Sequence, residues 1–247
     1  MINKDLNIIK EHWEKKETKS LGDKNLQELE RMTIINYMKK INKKSLKDIG
    51  CGDGSDTIHF SKYVDKTFAY DYSQAMLEKA SLNLSEINSV SLNQIDILED
   101  ELVQKSDLVI TKRMLINLGN FNNQKKAIKK IYDSLEKDGY FIMLETSSEG
   151  LKNLNELRKT LELEAIAEPF HNVLFNLDEL KYYLEKYFII EDISYFSTYF
   201  FLTRVYNTYI KDDFKYDTFA KNISVNDISL FEDKIIGPQF CFLLKKK

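Results

Sequence analysis

The chain is poor in the residues that punctuate or cross-link a polypeptide. Two prolines and 8 glycines in 247 residues leave little room for long linkers, so a single domain of 1–247, with small elaborations, is expected. Two cysteines, Cys51 and Cys241, exclude a disulfide framework and a cysteine zinc site. Three histidines, and acids without ligand spacing, give no reason to expect a metal. No apolar run reaches the roughly 18 residues that would span a bilayer, and the Lys- and Glu-rich start has no apolar leader core. A cytoplasmic protein with no membrane partner is expected. Charge is almost balanced, with 36 Lys and Arg against 39 Asp and Glu, so no global basic field recruits nucleic acid. What is present is the material of a folded core: 43% hydrophobic and 30% charged residues.

Three of the 8 glycines fall within five residues, in Ser45-Leu46-Lys47-Asp48-Ile49-Gly50-Cys51-Gly52-Asp53-Gly54-Ser55-Asp56. The stretch reads as a strand, a glycine loop and a helix start near Thr57. Glycine tolerates positive φ and lets backbone approach a ligand closely. Ser55 or Asp56 is placed to cap the helix. Asp71 follows at the end of the next apolar run, Thr67-Phe68-Ala69-Tyr70. A carboxylate about 20 residues after such a loop suits the two hydroxyls of a ribose. A tight turn that binds nothing is the alternative for the loop taken alone.

Asp48-Ile49-Gly50-Cys51-Gly52-Asp53-Gly54 resembles the D-x-G-x-G-x-G first motif of S-adenosylmethionine-dependent methyltransferases with a Rossmann-like fold. The spacing is not the G-x-G-x-x-G of nicotinamide-binding loops, and no Gly-Lys-Ser/Thr of a phosphate-binding loop is present. The resemblance spans roughly residues 30–205 and is nearest to bacterial small-molecule methyltransferases. It implies S-adenosylmethionine as cofactor, S-adenosylhomocysteine as product, and an α/β sheet of seven mostly parallel strands, order 3-2-1-4-5-7-6, whose last strand is antiparallel. It also implies cofactor contacts at Asp48, Gly50, Cys51, Gly52, Asp71, Tyr72, Asp96, Ile97 and Lys112.

Strand and helix patterns alternate after the loop, as a parallel sheet requires. Before it, Leu6, Ile9 and Trp13 mark a helix over 5–17, and Leu26, Leu29, Ile34 and Met38 another over 25–41. This N-terminal helical cap, 1–42, covers either the cofactor or merely the sheet edge. Trp13 is expected to fill a core gap, and His59 to be structural. Val90–Asp96 is a third strand, and Asp96 either accepts from the adenine amino group, as the resemblance implies, or caps a helix. Ser106–Thr111 is a fourth, leading into Lys112, Arg113 and Asn117 at the carboxyl-end crevice where ligands of such sheets bind. Arg113, Asn117 and, further on, Asn172 are candidate substrate contacts. The Asn/Asp-Pro-Pro-Tyr/Phe tetrad of many base- and amide-modifying enzymes is absent there.

Tyr140–Glu145 is a fifth strand. The insert at 147–176 resembles a substrate-pocket segment and contains Glu168-Pro169-Phe170-His171-Asn172. His171 is the first candidate for a general base, because imidazole titrates near neutrality, and Glu145 is the second. An alternative makes His171 an organiser of its loop. Phe188–Tyr206 reads as strongly β, with a lid over 207–236 before a final strand at Gln239–Leu244. The expected activity is methyl transfer to an oxygen or nitrogen of a small polar, anionic acceptor, such as a sugar nucleotide or surface-polysaccharide precursor. The competing readings are an RNA or protein methyltransferase, and a cofactor-binding protein without catalysis.

Overall fold

A computed structural model describes residues 3–15, 17, 22–211, 217–225, 231 and 234–247. Helix α1 (Leu6–Trp13) and helix α2 (Lys24–Ile41) precede the sheet. Then come β1 (Ser45–Ile49), α3 (Thr57–Phe60), β2 (Lys66–Asp71), α4 (Gln74–Asn83), β3 (Val90–Gln94) and β4 (Ser106–Lys112). The second half holds α5 (Phe121–Asp133), β5 (Leu135–Thr146), α6 (Ser148–Thr160), α7 (Leu177–Leu184) and β6 (Phe188–Tyr195). It ends with α8 (Ser197–Phe201), α9 (Asn207–Lys211), α10 (Thr218–Val225) and β7 (Gln239–Lys246).

The seven strands form one sheet in the order β3-β2-β1-β4-β5-β7-β6, and β7 runs antiparallel to both neighbours. This is the Rossmann-like arrangement expected from the sequence. Its central strands are buried on both faces, which is why β4 and the second half of β5 carry the continuous apolar runs Leu108–Ile110 and Tyr140–Leu144. One core cluster gathers α5, α7 and their sheet face, including Ile128, Phe141 and Phe188. The other gathers α2 and α8 against the opposite face, including Ile34, Ile142 and Tyr199.

The aromatic stretch expected to be β as far as Tyr206 is a strand only to Tyr195. Residues 197–211 are helical, through α8, one π-helical turn at Leu202–Tyr206 and α9. Packing overrides strand propensity here: Phe196, Tyr199 and Phe200 recur at helical spacing and are all buried in the second cluster. Of the expected lid at 207–236, residues 212–216, 226–230, 232 and 233 lie outside the described residues. Residues 137–139 form an irregularity inside β5, where Asp138 takes φ +61°.

A buried ionic network fixes α2 to the helical segment after β6. Asp23, fully buried, caps α2 through the Leu26 N–H at 3.0 Å. The same carboxylate accepts the Tyr199 hydroxyl at 2.8 Å and the Arg204 guanidinium. Removing one partner of a buried ion pair costs about 3–5 kcal/mol. Asp23→Ala should lower the unfolding free energy by that amount in urea titrations; a loss below about 1 kcal/mol would show that the network carries little stability.

Candidate functional site

The glycine loop leaves β1 and turns back on β2. The N–H groups of Gly50 and Cys51 both donate to Tyr70 O, at 2.8 and 2.9 Å. Gly50 and Gly52 take φ +80° and +56°. A Cβ on Gly50 would stand 2.4 Å from Met114 Cγ, whereas one on Gly52 would meet nothing within 4 Å. The Gly52 backbone therefore faces open space. Its N–H donates to Asp71 Oδ2 at 2.8 Å, and Asp71 Oδ1 accepts the Ser73 N–H at 2.9 Å. Burial raises the pKa of Asp71 against the pull of these two N–H donors. Asp48, beneath the loop, accepts the Thr57 hydroxyl at 2.6 Å, and burial pushes its pKa up to about 7.

The open space is a cavity of about 790 Å³. The glycine loop with Asp71 and Tyr72 forms one side, and Asp96, Ile97 and Leu98 form one end. Lys112, Arg113, Met114 and Asn117 form the opposite wall, and Leu6, Ile9, Lys10 and Trp13 of α1 make the roof. All nine expected cofactor positions thus line one space, as do Arg113 and Asn117. Asp96 accepts the Leu98 N–H at 2.9 Å and pairs with Lys10; burial raises its pKa, but these partners outweigh it and the net shift is downward.

The Lys112 wall is built of buried charge. Glu30 is fully buried, with Oε2 3.2 Å from Lys112 Nζ and 3.4 Å from Arg113 Nε. Asp56 pairs with Lys112 at 2.6 Å and with Arg31 at 2.7 Å. Asp56 precedes α3 as expected but makes no capping bond, because its carboxylate is taken by these two cations. Arg113 takes φ +54°, and the Asn117 amide donates to its carbonyl at 2.8 Å.

Glu145, His171 and Asn172 are not among the cavity-lining residues. Glu145 is fully buried and accepts the N–H groups of Met114, Leu115 and Ile116, at 3.2, 3.0 and 3.3 Å. It fastens the turn that carries the cationic wall. The Asn172 carbonyl accepts the Lys4 ammonium. His171 packs in a ring cluster beside α1, and burial, with His12 and Lys4 adding to it, brings its pKa down to about 4. So weak a base has little driving force for proton removal at neutral pH. Trp13, expected in a core gap, lines the cavity instead.

Sequence reasoning missed Glu30 and Lys10. Glu30 did carry a signal: it stands midway between Leu26 and Ile34 on the apolar face of α2, where an acid needs a buried partner. Lys10 carried none, being an ordinary cation on a short amphipathic helix.

A family model described as a methyltransferase domain matches residues 41–195. No curated protein matches the sequence significantly. Among solved structures, the N-methyltransferase NodS from Bradyrhizobium japonicum in complex with S-adenosyl-L-homocysteine superposes with a TM-score of 0.61 at 10% identity, over 98% of this chain and 97% of that one. An S-adenosylmethionine-dependent methyltransferase from Clostridium acetobutylicum gives 0.57 at 16% identity, over 92% of each chain. At these identities the likeness is one of fold. Among the described residues no group of three or more His, Cys, Asp or Glu is arranged to hold a metal ion, and no helix is long and apolar enough to cross a membrane.

The burial of Glu145 has a pH signature. Its pKa is about 7 in the fold against an ordinary 4.5, so the folded state holds the proton more tightly and stability falls as pH rises from 4.5 to 7. Glu145→Gln carries no such proton. Its stability relative to the wild type should rise across that interval in urea titrations; a constant or falling difference would contradict the assignment.

Proposed function

The chain belongs to the methyltransferase domain family and takes its methyl group from S-adenosylmethionine; on that premise we propose that it methylates an oxygen or nitrogen atom of a small, polar, anionic acceptor. A sugar nucleotide or surface-polysaccharide precursor has that chemistry. The observation that carries the reading is the Gly52–Asp71 corner. Gly52 has no atom within 4 Å of where a Cβ would stand, and its N–H holds the Asp71 carboxylate at 2.8 Å beside the cavity. A flat nucleoside can then approach the loop backbone, and Asp71 retains lone pairs to accept ribose hydroxyls. Asp96 and Ile97, at the far end, supply an acceptor and an apolar face for adenine. The bound donor brings a sulfonium methyl group already activated for in-line displacement.

What remains for the protein is alignment, which supplies several orders of magnitude when the reacting groups are held in register. Lys112 and Arg113 are placed to hold the anionic group of the acceptor. Their wall is held by ion pairs of Lys112 with Glu30 and Asp56, of Arg113 with Glu30 and of Arg31 with Asp56. Neither His171 nor Glu145 lines the cavity, so neither is assigned as the base; an amine acceptor delivered unprotonated requires none.

Charge-assisted hydrogen bonds to Asp71 are worth about 1.5–3 kcal/mol. Asp71→Ala should weaken S-adenosylmethionine and S-adenosylhomocysteine alike by about tenfold to a hundredfold in calorimetry, with the circular dichroism spectrum preserved. Unchanged affinity for both would remove Asp71 from the site.

A further inference from the structure

Residues 3–14 cross the cavity as a strap fastened at both ends. At one end the Lys4 N–H donates to Gly119 O at 2.8 Å, and the Lys4 ammonium pairs with Glu168 at 2.7 Å. At the other, the Ser73 hydroxyl donates to Trp13 O at 3.1 Å, and Glu14 accepts the Gln74 N–H at 3.2 Å. Four rings join the strap to the loop after α6. His12 and His171 stack with centroids 4.7 Å apart and planes 15° off parallel. Trp13 meets His171 edge-on at 5.6 Å, and Phe170 meets the two histidines edge-on at 5.2 and 5.0 Å. Within this cluster Trp13 Nε1 and His171 Nδ1 are both buried, and neither has a hydrogen-bond partner among the described residues. They lie on neighbouring rings and are complementary: the indole nitrogen is a donor, and a neutral imidazole nitrogen can accept.

We propose that His171 is a positioning residue acting through Trp13 and His12: neutral, it holds α1 over the cavity, and protonated, it lets α1 go. That α1 covers the methyl donor rests on the function proposed above; the latch itself does not. A proton on His171 turns a buried nitrogen that can accept into a buried, charged donor beside the Trp13 ring, whose own nitrogen is a donor. It also places a charge against a stacked His12 and near Lys4. The charged or titratable groups acting on His171 are His12 of α1 and Lys4 of the preceding segment, and Glu168 on its own loop is already paired with Lys4. In the closed arrangement burial and these groups hold the pKa near 4, whereas a released histidine titrates near 6.5. The closed state binds fewer protons, so closure is fully favoured above about pH 6.5 and weakens as pH falls toward 4. The two pKa values make the opening equilibrium about tenfold larger at pH 5.5 than at pH 7.5.

Amide hydrogen exchange of the full chain tests this without any ligand. After correction for the intrinsic exchange rate, the amides of α1 should open about tenfold more at pH 5.5 than at 7.5, while those of β4 and β5 show no such increase toward pH 5.5. In His171→Phe, which keeps a ring but cannot take a proton, the α1 values should be flat with pH. The sole tryptophan, Trp13, gives a second readout, since imidazolium quenches a neighbouring indole: its emission should titrate in the wild type with a midpoint below 6.5 and lose that step in His171→Phe. Flat α1 exchange in the wild type, or a His171→Phe protein that keeps the full pH dependence, would overturn the latch. S-adenosylhomocysteine calorimetry at pH 7.5 separates the two ideas. No binding there would refute the methyl-donor reading and leave the exchange result standing.

Discussion

The site hangs from the end of β2. The Tyr70 carbonyl takes the N–H groups of Gly50 and Cys51, and the carboxylate of the next residue, Asp71, takes that of Gly52. Two adjacent residues of one strand thus fix the course of three loop residues leaving its neighbour. The loop can follow that course because Gly50 and Gly52 adopt positive φ, and because Gly50 leaves room for Met114. The cavity is what remains when the loop is held back against β2. The cost is a half-buried carboxylate beside it, whose pKa burial pushes upward.

Two further acids shape the cavity without lining it. Glu145, from the end of β5, grips three consecutive N–H groups of the turn after β4. Glu30, from α2, sits beneath the two cations that this turn presents. The same short segment is thus held through its backbone from one side and through its side chains from the other. Buried ion pairs add little net stability over an apolar replacement, but they fix geometry where both partners are in place. Here the geometry fixed is that of Lys112 and Arg113, the groups proposed to meet the acceptor.

The sheet was legible because its central strands are buried on both faces and its loop and acids recur at telling distances. Strand–helix alternation put the carboxyl ends of the strands along one edge of the sheet, and the resemblance of the glycine loop assigned Asp48, Gly50, Gly52, Asp71 and Asp96 to it. What failed to show was anything decided by packing between distant segments. The run from Phe196 to Tyr206 has the composition of a strand, and only the core beneath it makes it helical. His171 looked like a base because an isolated imidazole titrates near 6.5. Its stacking on His12, 159 positions earlier in the chain (171 − 12), is invisible to local pattern, and burial in that cluster, with His12 adding to it, lowers its pKa. Trp13 reads as core filling for the same reason: the roof it forms exists only once α1 is folded across the cavity.

The central claim is that the space between the glycine loop and α1 is the methyl-donor site. A crystal structure of the full chain grown with S-adenosylhomocysteine tests it most directly. The account predicts the ligand in that cavity, with its ribose hydroxyls on the Asp71 carboxylate and its adenine between Ile97 and the roof of α1. A ligand bound elsewhere, or a ribose turned away from Asp71, would contradict it.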